Sequence, residues 1–248
     1  METPTKFDYQ HPVILASSKG RTHDMYRQIY GEGFIHTDYE AEVDGKTEPA
    51  SDNPLIPALW KMSEAAAVYA KDPEVAEQFM ILATDVVFMN PRREASHKPS
   101  RDGIDQESLL TETQAWYAAD TFVVQWLVSH VVHEHVSGGT NRSIGYQFVI
   151  EGTFPALPAE TVVANVNQEM NTRLPLIDLA LEAGVAAQFV LTTPALEGQA
   201  GERLDISAAE AFRLVVDKII PPAVLANIIS QEVKQPHIAL SLLTADMR

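Results

Sequence analysis

The sequence predicts an α+β protein that is predominantly helical, its helices packed around one long central helix at about residues 106–135, with a small accessory β-sheet. Three observations support that class. The stretch Trp116 to Val132 is apolar nearly all round, as is a helix enclosed by protein. Helix-start punctuation recurs at Asn53-Pro54, at Asp72-Pro73 and in the Ser207-x-x-Glu210 capping box. Alternation of strand period is confined to Ile144, Tyr146, Phe148 and Ile150, with a second run of strand formers at Phe189 to Thr193.

Taken in order, residues 1–53 read as an irregular N-terminal arm. Within it, Pro12 to Ala16 has the composition of a short strand, and Thr22 opens a helix carrying Met25, Ile29 and Tyr30 that stops at Gly31. From Glu32 to Asn53 the chain is acidic and rich in turn residues. Residues 54–248 read as a single helix-rich globular domain, because no Gly, Ser or Pro linker divides them.

The domain opens with a helix after Asn53-Pro54, with Ile56, Leu59, Met62, Ala66 and Tyr69 as its apolar stripe. A second helix starts at Asp72-Pro73 and repeats Val75, Phe79, Leu82, Val86 and Met89 on one face until Asn90-Pro91. The long helix follows from Gln106 to His135, capped by Asp105 and stopped by Gly138-Gly139. After the strand at Ile144 to Ile150 come helices at Ala159 to Asn171 and Pro175 to Ala183, the latter closed by Gly184. Glu197 to Arg203 is loop, and Ser207 starts a helix that Pro221-Pro222 ends while opening another. The tail from His237 to Met247 is apolar enough to pack.

Composition excludes several classes of function. Eighteen basic against 34 acidic side chains give a net charge of -16, which repels phosphate polymers and anionic membranes, so neither direct nucleic-acid binding nor membrane association is expected. The absence of cysteine removes thiolate nucleophiles, disulfides and iron–sulfur clusters. Trp116 to Val132 is broken by Asp120, Gln125 and His130 and falls short of a bilayer span. Met1 to Gln10 lacks the basic segment and apolar run of a secretory signal, so a cytoplasmic or virion location is expected.

The densest chemical cluster is His130, His133, Glu134 and His135. On a helix, His130 with His133 and His130 with Glu134 would share one face, as a metal site requires. A zincin pattern fails, because the position four residues after His133 is Ser137. Imidazoles in a last helical turn also serve the helix dipole, so no cofactor or metal is assigned, and His130, His133 and Glu134 stand as the candidates if a site exists. Asp120, inside an apolar stretch, is a candidate for a perturbed carboxylate. Arg92, Arg93, Lys98 and Arg101, gathered near His97 in a polar stretch, are candidates for contact with an acidic partner surface. Asn141-Arg142-Ser143-Ile144-Gly145 lacks the first glycine of a hydrolase elbow, so Ser143 is not assigned as a nucleophile.

With no catalytic signature intact, the leading expectation is a structural or assembly subunit. Such a protein acts through protein partners or as a homo-oligomer, and a virus particle is among the complexes it would suit. The alternative is a helical metal-dependent enzyme or small-molecule-binding protein built on His130, His133 and Glu134.

Overall fold

The computed structural model describes residues 11–16, 20–31, 49, 51–96, 106–139, 141–164, 176–192, 203–220 and 225. In chain order the elements are β1 (Val13–Ala16), α1 (Gly20–Tyr30), α2 (Leu55–Tyr69), β2 (Gln78–Met89), β3 (Ala95–Ser96), α3 (Gln106–Tyr117), β4 (Thr121–Val136), β5 (Arg142–Pro155), α4 (Leu176–Glu182), β6 (Gln188–Thr192), β7 (Arg203–Ile206) and α5 (Ala208–Val215). The strands form one seven-stranded sheet of order β1-β2-β4-β5-β6-β7, with β3 paired to β2.

The fold is therefore not predominantly helical, and the sheet is its largest element. The expected central helix at 106–135 is two elements: α3 ends at Tyr117, and β4 begins at Thr121. An apolar run has no detectable period when both faces of a strand are covered, and only residue type then separates strand from helix. Valines 123, 124, 128, 131 and 132, with Phe122 and Trp126, are β-branched and aromatic, and such side chains fit a pleated surface better than a helical turn. The second expected helix is corrected in the same way. Asp72 does accept from the Glu74 amide (2.9 Å), but the turn it starts lasts only to Glu77, and Gln78–Met89 is β2, nearly all of it buried.

The other readings fared better because punctuation and composition agreed. Gln188–Thr192 is a strand, α4 ends at Glu182, two residues before Gly184 at φ 62°, and α5 carries both halves of the Ser207/Glu210 capping box. Lys98, Arg101, the loop at 197–202 and the C-terminal tail lie outside the described residues. No described helix is long and apolar enough to cross a membrane.

Two compact units divide the chain. The first comprises residues 1–86, 128–147 and 217–248, the second 87–127 and 148–216. In the first, β1 runs parallel to β2 in the register Val13↔Met80 to Ala16↔Ala83. A parallel pair needs a crossover, and α1 and α2 lie in the chain between the two strands. The Ser137 amide donates to the Glu77 carbonyl (2.9 Å), so the end of β4 meets the start of β2 and the two run antiparallel. The five residues between β4 and β5 are too few for a crossover, which makes that pair a hairpin.

The helix α2 covers the β1–β2–β4 portion of this unit, with Ala58, Ala65 and Tyr69 packed on Ile14, Ala16, Phe79, Ile81, Ala83 and Val131. The buried stripe thus runs Ala58, Lys61, Ala65, Tyr69, while Ile56 and Leu59, expected inside, are 48% and 39% exposed. Alanine lets a helix approach a sheet closely, and that approach selects the small-residue face over the bulkier one.

In the second unit β5, β6 and β7 pair antiparallel around an aromatic chain. Phe122 stacks on Tyr117 (4.6 Å) and Phe154 (5.4 Å), Phe154 meets Phe189 edge-on (5.7 Å), and Trp126 lies against Phe88 (5.8 Å) and Phe189 (6.4 Å). Gly152 on β5 leaves room for these rings, since a Cβ there would come within 2.8 Å of Phe154 and 2.9 Å of Trp126. Gly152→Ala is accordingly expected to destabilise the protein by about 1–3 kcal/mol through overpacking. Urea denaturation checks it, and an unchanged midpoint would show that the rings have slack.

Candidate functional site

The side chains read from the sequence as one chemical cluster are placed by a strand. Successive strand residues alternate between faces, so the spacing argument that grouped His130, His133 and Glu134 on one helical face no longer holds. Glu134 is bound by Arg142 across the hairpin and by Gln78 (3.5 Å). His133 Nδ1 lies 2.8 Å from Ser143 Oγ, and His135 stacks on Phe79 with ring centroids 4.5 Å apart. Burial and the neighbouring His135 lower the pKa of His133, with Glu134 opposing. Among the described residues no group of three His, Asp or Glu side chains is placed to hold a metal ion.

Asp120 is exposed in the turn between α3 and β4, because the apolar stretch that seemed to enclose it breaks there. In the second unit Arg92 lies over the Trp116 ring, 5.9 Å from its centroid. Arg93, at φ 66° in the β2–β3 turn, reaches Glu151 (3.5 Å), which also meets Arg203 (3.3 Å) and Gln125 (3.0 Å). Two of the four basic candidates are thus engaged by the chain's own side chains.

The strongest concentration of buried charge lies elsewhere in the first unit and was not singled out from the sequence. Lys61 on α2 donates to Asp85 on β2 at 2.8 Å, and Lys218 Nζ stands 3.8 Å from the same carboxylate oxygen. Their exposures are 8%, 5% and 6%. Each is delivered by a separate element. Lys61 occupies the sheet-facing stripe of α2 between Ala58 and Ala65. Asp85 continues the alternation Phe79, Ile81, Ala83 toward α2, two residues beyond the register at which β1 ends. Lys218 follows α5 in an irregular segment, next to the buried Asp217.

Lys218 holds a left-handed backbone, φ 55°, which costs a residue with a Cβ about 1–2 kcal/mol. Its position is fixed by Tyr26 of α1. The fully buried Tyr26 hydroxyl donates to the Lys218 carbonyl (3.1 Å) and accepts from the Ile220 amide (3.1 Å). Burial pushes the Tyr26 pKa upward, so the hydroxyl keeps its proton. His130, 2% exposed, belongs to the same surroundings: burial first, and the Lys218 charge second, push its pKa down to about 3. It is a neutral imidazole at neutral pH.

A signal for this centre was present in the sequence. Asp85 interrupts the run Phe79 to Met89, whereas Lys61 lies off the stripe of Ile56, Leu59 and Met62 and is buried because the small-residue face of α2 packs on the sheet. A charge on a face that must be buried needs a partner, and each of these two is the other's. Lys218 carries no such mark, since only the fold returns the segment after α5 to β2.

A buried carboxylate with two ammonium groups places fixed charges in a site of low polarity, where each acts more strongly than in water. It suits the recognition of an anion and leaves a carboxylate available to orient it or to take a proton. No protein-family model matches the chain, and no curated protein matches it either.

Proposed function

We propose that the protein binds, and acts chemically on, a small anionic molecule at the Lys61–Asp85–Lys218 centre. The observation that carries the reading is a carboxylate within 4 Å of two ammonium groups, all three residues at most 8% exposed. Stability gives little reason for it, since an ion pair removed from water does no better than apolar residues of the same volume. The left-handed backbone at Lys218 adds strain. Strain and buried ionisable groups concentrate where a ligand is recognised. Location supports the same reading, because Asp85 lies beyond the carboxyl end of β1, and open α/β sheets take their ligands at such ends.

In this reading Lys61 and Lys218 hold the anion, and Asp85 orients both ammoniums and serves as the site's proton acceptor. Inorganic phosphate is the simplest probe. At a concentration about 100 times its dissociation constant it would add about 2.7 kcal/mol, a shift in melting temperature of several degrees. Lys218→Met, which keeps the apolar stem, is expected to abolish that shift. A wild-type protein whose melting is unmoved by phosphate, sulfate and citrate, or a variant that responds equally, would sink the proposal.

The assembly role expected from the sequence ranks second. Its support is that Ile56, Leu59 and Val68 leave large apolar side chains exposed on α2, and light scattering that finds a monomer at high concentration would remove it.

A further inference from the structure

We propose that Tyr26 is the positioning residue of this centre: its hydroxyl clamps the backbone on both sides of Ile219 and so holds Lys218 in the left-handed conformation that presents its ammonium to Asp85. The inference deepens the anion-site reading and rests on it for its functional consequence, but its geometry stands independently. The hydroxyl makes two bonds to one short segment, giving its proton to the Lys218 carbonyl and taking the Ile220 amide proton, each at 3.1 Å. Both backbone groups are buried, with Lys218, Ile219 and Ile220 at 6%, 4% and 2% exposure, so no solvent replaces the hydroxyl when it is removed.

The coupling to Lys218 follows from backbone geometry. A lysine at φ 55° is held there only by surroundings that over-determine it. Once the carbonyl of Lys218 and the amide two residues on are released, rotation to negative φ relieves the strain and swings the side chain, because φ sets the direction of the Cα–Cβ bond relative to the preceding chain. The Nζ–Asp85 separation of 3.8 Å then widens, while Lys61, donated from α2 at 2.8 Å, stays. Tyr26 itself is anchored through α1, with Tyr30 one turn on and ring centroids 5.4 Å apart. One phenolic oxygen thereby makes the second cation of the centre depend on the placement of α1.

The test separates positioning from plain stabilisation. Amine acetylation of the full chain, read by peptide mass spectrometry, reports how often each lysine leaves its site. In Tyr26→Phe, Lys218 is expected to react at least tenfold faster than in the wild type while Lys61 is unchanged. Parallel acceleration of both lysines would show a merely looser fold, and no acceleration of either would show that Lys218 holds itself; each overturns the proposal. If Tyr26→Phe does not fold, amide hydrogen exchange in the wild type still decides, since the clamp requires strong protection at Ile220, and exchange at the rate of an open loop refutes it. Phosphate affinity gives the consequence. Tyr26→Phe is expected to weaken phosphate binding about tenfold. Unchanged phosphate affinity in a variant whose Lys218 is selectively released would refute action through Lys218. Selective release of Lys218 in a protein that never bound phosphate would sink the anion reading and leave the clamp standing.

Discussion

Asp85→Asn is expected to destabilise the protein by about 3–5 kcal/mol, because it removes the carboxylate that stands within 4 Å of both Lys61 and Lys218 while their ammonium groups stay out of water. The size of this loss is not a measure of what the triad adds to folding. Taking Lys61 and Asp85 away together, as Lys61→Met with Asp85→Leu, removes one cation with the anion and replaces both by apolar side chains of similar size on the Ala58, Ala65, Phe79, Ile81 and Ala83 surface. That double variant is expected to recover at least half of the loss, and its phosphate response is expected to vanish. Urea denaturation of the wild type, Lys61→Met, Asp85→Leu and the double variant closes the cycle. The decisive outcome is dissociation between the two readouts: stability restored with binding gone marks a functional centre. A double variant as unstable as Asp85→Asn would mean that the ion pair holds α2 on the sheet, and the case for a ligand would lose its main support.

How much of this was legible in the sequence depends on where local and tertiary determinants agreed. The Ser207/Glu210 capping box, the strand at Phe189 and the stop at Gly184 are set by residues within a few positions of one another, and they stand as read. β2 and β4 failed for one shared reason. Each has a stretch buried on both sides, Phe79 to Asp85 in β2 and Val128 to His133 in β4, and the first half of β4 alternates in burial but carries Val123 and Leu127 on its half-buried face, so a long apolar run bounded by Asp-Pro or Gly-Gly imitates an enclosed helix. The error carried into the chemistry, because His130, His133 and Glu134 were grouped by a helical period that a strand does not have. Of the buried centre only Asp85 was legible. It breaks an apolar pattern, whereas Lys61, Lys218 and Tyr26 join it only through long-range packing of α2, of the segment after α5 and of α1. Tyr26 was not among the residues singled out on its helix, and its hydroxyl acquires a role only when the Ile220 amide comes to it.

His130 offers the second large effect, read through pH. In the unfolded chain its imidazole takes up a proton as the pH falls through about 6.5, the ordinary value for histidine. In the folded protein that protonation waits until about pH 3, because burial and the Lys218 charge oppose it. Protonation therefore favours the unfolded state throughout the interval between these values. The contribution is nil above about pH 7, where the ring is neutral in both states, and below about pH 6 stability falls by about 1.4 kcal/mol for each unit of pH until the folded value is reached. Between pH 7 and pH 5 this one residue is expected to cost about 2 kcal/mol. His130→Asn keeps a polar planar side chain and cannot titrate, so its stability should decline less steeply by that amount over the same range, whatever its stability at pH 7. Other groups, His133 among them, titrate in both proteins and cancel in the comparison. Urea denaturation of both proteins at pH 7 and pH 5 measures the difference. Parallel losses would mean that the folded protein admits a proton to His130 near neutral pH, and the dry, positively charged setting on which the anion site depends would then be wrong.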